Sequence, residues 1–166
     1  VNAADWRGTC AVCLDLLPVK CKAYDTRCPL CRSPASTSSA EWLCRLQKHV
    51  DEGRAEAQIM LGGACREGRV GLKKSLKQMY QLFKRAAAQG HHPEGQAQLG
   101  QCYCRGDGVK IDLKAAELWY RRAAEQGYPP ALYNLGAMFF NGKGVAQSFD
   151  EALKWFRLAA AQGQAI

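Results

Sequence analysis

The residues whose types and spacing could do chemistry are cysteines. Nine stand in the 166-residue chain, five of them between Cys10 and Cys31. Cys10 and Cys13 form one C-x-x-C pair; Cys28 and Cys31 form a second, fourteen residues further on. Two such pairs can supply four thiolates to one tetrahedral zinc ion, a structural cofactor. The separation is one residue short of the usual interval between paired zinc knuckles. Redox dithiols or buried free thiols are the competing readings. Two pairs in a segment with few core-forming residues favour zinc, with Cys10, Cys13, Cys28 and Cys31 as ligands. Cys21 is read as incidental. Reduced, metal-binding cysteines imply an intracellular, reducing compartment, cytoplasm or nucleus.

Other constellations carry less. Cys102 and Cys104 flank Tyr103 on a helix, where residues two apart diverge, so they read as packing or surface residues. His91 and His92 sit in a turn with no third ligand near in sequence. Gly106-Asp107-Gly108 and Gly142-Lys143-Gly144 lack the rest of a phosphate-loop signature and read as turns. No G-x-S-x-G, no H-E-x-x-H and no nucleophile–base pair occurs, so the chain itself is expected not to be an enzyme. The net charge is +8. Residues 41–90 hold ten Lys/Arg against five Asp/Glu, concentrated around Arg66, Arg69, Lys73, Lys74 and Lys77. A basic patch of this kind attracts polyanions or acidic partners. It has no interleaved aromatic residues, which argues against nucleic acid and for a solvated helical face. No stretch approaches the roughly 18 apolar residues of a membrane span.

The elements that must position these residues follow from an internal repeat. Leu61-Gly62, Leu99-Gly100 and Leu135-Gly136 recur at spacings of 38 and 36. Ala86-Ala87, Ala123-Ala124 and Ala159-Ala160 keep the same register, and Gly90, Gly127 and Gly163 follow each pair. Each unit predicts two helices: a first over Ala55–Arg66, Pro93–Cys104 and Pro129–Phe140, and a second over Leu76–Gln89, Leu113–Gln126 and Phe149–Gln162. Ser75, Asp112 and Ser148 are placed to cap the second helices. Gln78 and Glu151 complete a capping-box pattern in two of the units. Leu82 aligns with Trp119 and Trp155, Phe83 with Tyr120 and Phe156, and Cys65 with Tyr103 and Phe139. One unit cannot bury such a face alone, so units stack and share a core.

The division is a Cys-rich segment over 1–34, a polar linker over 35–40 and a leading helix over 41–53. Repeats follow over 54–90, 91–127 and 128–164. The leading helix presents Trp42, Leu43, Leu46 and Val50 on one face and is expected to cover the first unit. The chain begins on Val1, and its last unit closes without a polar cap. A fragment of a longer array is therefore expected.

The motif A-x-x-x-L-G followed by K-A-x-x-W-(Y/F)-x-x-A-A-x-x-G, as in Ala131–Gly136 and Lys114–Gly127, resembles the Sel-one-like repeats, relatives of the tetratricopeptide repeats. The first unit departs from it, with Cys65 in an aromatic position and an extra residue in Gly68-Arg69-Val70-Gly71, so looser packing is expected there. The resemblance implies an all-α, right-handed α-solenoid whose concave face binds other proteins; Tyr103, Trp119 and Tyr133 are the candidate contact residues. Cys28-Pro29-Leu30-Cys31-Arg32 resembles the closing knuckle of a RING-type finger; with the upstream partner pairs and the His missing, the segment is either a truncated finger or a smaller four-cysteine knuckle. That resemblance implies an adaptor with a zinc-binding finger. The alternative is a ubiquitin ligase in which Arg32 contacts a ubiquitin-conjugating enzyme and the repeats recruit substrate.

Overall fold

The computed structural model describes residues 39–69, 71–90 and 92–162. Among these residues are seven α-helices and no strand: α1 (Ser39–Asp51), α2 (Ala55–Glu67), α3 (Leu76–Ala88), α4 (Pro93–Arg105), α5 (Leu113–Glu125), α6 (Pro129–Asn141) and α7 (Phe149–Ala161). The molecule is an all-α repeat solenoid. Packing is most extensive within the pairs α2–α3, α4–α5 and α6–α7, while α3–α4 and α5–α6 join one pair to the next. Helix ends fall within about two residues of the sequence expectation, the usual spread for fraying termini. The leading helix starts at Ser39, so two residues assigned to the linker are helical.

Local chemistry explains where the helices start and stop. Ser75, Asp112 and Ser148 are extended N-caps whose side-chain oxygens accept from the backbone N–H of Gln78 (3.3 Å), Ala115 (3.0 Å) and Glu151 (3.3 Å). Each bond satisfies one N–H that has no partner within its helix. The reciprocal half of the capping box is a correction to the sequence reading. The Glu151 carboxylate takes Lys154 at 2.5 Å instead of turning back to the cap. The Gln78 amide oxygen lies 4.0 Å from the Cys65 sulfur. Pro93 and Pro129 occupy first-turn positions, where the absent N–H costs nothing. Gly68, Gly106 and Gly142 end the first helices at φ of 71°, 77° and 64°, a conformation that side chains disfavour.

The small residues bring helices into contact. A Cβ on Gly62 would stand 2.5 Å from the Phe83 ring; on Gly100, 3.0 Å from Tyr120; on Gly136, 2.8 Å from Phe156. Each Leu-Gly glycine is thus the seat of the aromatic residue from its partner helix. Gly108 and Gly144 make a second close approach, between units. A Cβ on Gly108 would collide with the Leu76 carbonyl, and one on Gly144 would meet the Leu113 carbonyl at 2.8 Å.

Two clusters of buried side chains form the core. One spans α1 to α4 around Phe83, Met79 and Leu99, and the other spans α4 to α7 around Leu132, Leu135 and Tyr120. Tyr103 packs against both. Its hydroxyl shares a 3.0 Å hydrogen bond with Tyr80, and the rings meet edge to face at 5.8 Å. Trp42, Leu46 and Val50 of α1 are buried, so the leading helix does cover the first unit. It lies on α2 less extensively than α3 lies on α4.

Candidate protein-binding site

Cys10, Cys13, Cys28, Cys31 and Arg32 lie outside the described residues. Among the described residues, no group of three or more His, Cys, Asp or Glu side chains converges on a common point. Cys65 and Cys102 are buried free thiols; Cys104 is half-buried and Cys44 is exposed. Burial pushes the Cys65 thiol up and the Cys102 thiol up to about 12. Both behave as small core residues rather than nucleophiles.

The three candidate contact residues fall on three helices. Tyr103 on α4 is half-buried, and its hydroxyl is engaged with Tyr80. That bond, ahead of burial, raises the Tyr103 pKa. Trp119 on α5 is half-buried beneath the Arg122 guanidinium, 4.8 Å from the ring centroid. Tyr133 on α6 is 42% exposed and leans on Phe156 at 5.4 Å. Near it, Phe140 is 50% exposed and meets Phe149 edge to face.

A feature not identified in the sequence reading is a cavity of about 1100 Å³ between α1 and α3, with α2 behind it. Leu43, Val50, Leu61, Leu72 and Leu82 give it a mainly apolar wall. Lys73, Lys74, Lys77 and Arg85 line it as well, and among the described residues no Asp or Glu does. The basic patch seen in the sequence therefore divides. Arg66 and Arg69 pair with Glu67, whereas the three lysines turn to the cavity.

The next inter-unit groove, between α3 and α5, holds about 520 Å³. Trp119 and Arg122 line it. The position of Trp119 is that of Leu82 in the first unit. Cys65, also on the wall of the larger cavity, stands where later units carry Tyr103 and Phe139. Two small-for-large exchanges thus coincide at one groove. The alignment of these positions was visible in the sequence; their convergence across three helices was not.

The Sel1 repeat family model matches residues 55–91, 93–128 and 129–164. No curated protein sequence matches the chain. Among solved structures, a protective antigen of uropathogenic Escherichia coli displaying an SLR fold is similar at 41% identity and a TM-score of 0.70, over 74% of this chain and 26% of that one. A Sel1 repeat protein from Oxalobacter formigenes is similar at 31% identity and a TM-score of 0.68, over 75% of this chain and 50% of that one. The chain thus spans about a quarter and a half of these relatives. Helicobacter pylori cysteine rich protein B, at 22% identity and a TM-score of 0.58 over 77% of this chain and 90% of that one, shares the fold. Three consecutive matches that cover most of the chain, on helices packed as the repeat requires, place this protein in the Sel1 repeat family.

Proposed function

We propose that this protein is a protein-interaction scaffold that uses the solenoid surface to hold partner proteins. The carrying observation is a repeat array that leaves large side chains uncovered, among them Tyr133 at 42% and Phe140 at 50% exposure. Aromatic side chains on a rigid surface supply contact area at low entropic cost. The reading is tested by placing a photo-reactive phenylalanine analogue at Tyr133 in the native host. A discrete, saturable set of protein adducts is expected. Adducts no different from those made by the same analogue at exposed Lys154 would overturn it.

The N-terminal segment completes the proposal as an adaptor finger. Cys10, Cys13, Cys28 and Cys31 would hold one structural zinc through four thiolates. Elemental analysis of the full chain should give about one zinc per chain, lost on Cys28→Ser. A metal-free wild-type chain would remove the finger from the account. A ligase reading rests on Cys28–Arg32 alone. It requires ubiquitin transfer in the presence of a ubiquitin-conjugating enzyme, weakened by Arg32→Ala; no transfer would discard it.

A further inference from the structure

We infer that the groove between α1 and α3 is a docking site for an acidic, amphipathic segment of a partner protein. The inference deepens the scaffold reading and rests on it. Leu82 and Cys65 stand where later units carry Trp119 and Tyr103, and both line a cavity of about 1100 Å³. The α1 helix packs on α2 less extensively than α3 packs on α4.

Chemistry then selects the occupant. The wall is mainly apolar, with Leu43, Leu72 and Leu82 among its residues, so a ligand without apolar side chains would waste it. Lys73, Lys74 and Lys77 are exposed and make no ion pair among the described residues. Arg85, which donates to the Val50 carbonyl at 3.4 Å, adds a fourth positive charge. With no carboxylate among the described lining residues, the field favours an anionic ligand and repels a basic one. The chain's own residues 1–40 carry five Lys/Arg against three Asp/Glu, the wrong sign for this groove. Nucleic acid would answer the lysines but not the leucines.

The test uses the full chain as bait for a displayed library of random peptides. Selected peptides should be enriched in Asp and Glu interspersed with Leu, Ile or Phe. Leu82→Trp, which installs the residue that later units carry, should lower enrichment at least about tenfold. The triple variant Lys73→Glu, Lys74→Glu, Lys77→Glu, which sets Arg85 against three carboxylates, should turn the consensus from acidic to basic, a change that a merely structural role would not produce. The inference fails if nothing is enriched, if Leu82→Trp selects the same peptides, or if acidic peptides without apolar residues bind equally well. It also fails if the consensus resembles residues 1–38, or if a single-stranded oligonucleotide displaces the peptides at equal concentration. Tyr133 adducts that persist alongside a failed selection would leave the scaffold reading standing and remove this site alone.

Discussion

The first and second repeats have the same plan and differ in how completely they are filled. Both seat an aromatic ring of the second helix on a Leu-Gly glycine, Phe83 on Gly62 and Tyr120 on Gly100. Both cap that helix with a side-chain oxygen. They part at the unit boundary. In the second repeat Gly108 is pressed against Leu76 of the preceding unit, and Trp119 lines the groove. In the first, Gly71 stands equally far before its N-cap, yet among the described residues a Cβ there would meet nothing within 4 Å. Packing within a unit is thus specified by the unit's own residues. Packing between units depends on a few positions, and relaxing those opens a groove without unfolding the repeat.

The largest expected effect that can break this comparison is at the two turn glycines. Both have φ of +77°, so any side chain pays about 1–2 kcal/mol of backbone strain. Gly71→Ala should cost about that much. Gly108→Ala adds a collision with backbone and should cost about 3–5 kcal/mol, read as the difference between their urea midpoints. Equal losses would mean that the first unit boundary is as tight as the second.

The next effect concerns the indole position. Trp119→Leu removes apolar contact and the ring beneath Arg122 and should destabilise by about 1–2 kcal/mol. Leu82→Trp enters an open groove and should stay within about 1 kcal/mol of wild type in the same assay. A large loss for Leu82→Trp would show that the groove is too tight to admit the ring. Smaller and uniform effects should come from the caps. Ser75→Ala and Asp112→Ala should each cost about 1 kcal/mol, because both units make that bond. A clear inequality would place the difference between the units inside them. The thiols provide a comparison without a stability change. At about pH 8, alkylation mapped by mass spectrometry should label Cys44 in the folded chain and leave Cys65 and Cys102 unmodified. Rapid labelling of Cys65 would show that water reaches the groove floor freely.

Much of this architecture was legible in the sequence. Repeat register, helix ends and the Ser/Asp caps are short-range properties, set by residues within one turn of each other. The burial of Trp42, Leu46 and Val50 followed from their spacing on α1. The reciprocal capping-box bond was not legible, because the N–H of each cap residue is taken by the preceding helix: Ser75 donates to the Cys65 carbonyl at 2.9 Å and Ser148 to the Phe139 carbonyl at 3.1 Å. Nor was the contact of Gly108 with Leu76, since the sequence marks a turn there but not what the turn will touch. The groove was half legible. The exchanges at Cys65 and Leu82 stand in the alignment, but a cavity arises only where missing volumes from separate helices meet.

The most direct test of the central claim uses 8-anilinonaphthalene-1-sulfonate, a probe that is both anionic and apolar. It is titrated into the wild-type chain and into Leu82→Trp. The wild-type chain should show a saturable fluorescence rise, and the variant should lose one site's worth of signal while keeping its helical circular dichroism. Identical titrations of the two proteins would contradict the claim that the first repeat holds an open, cationic, apolar groove.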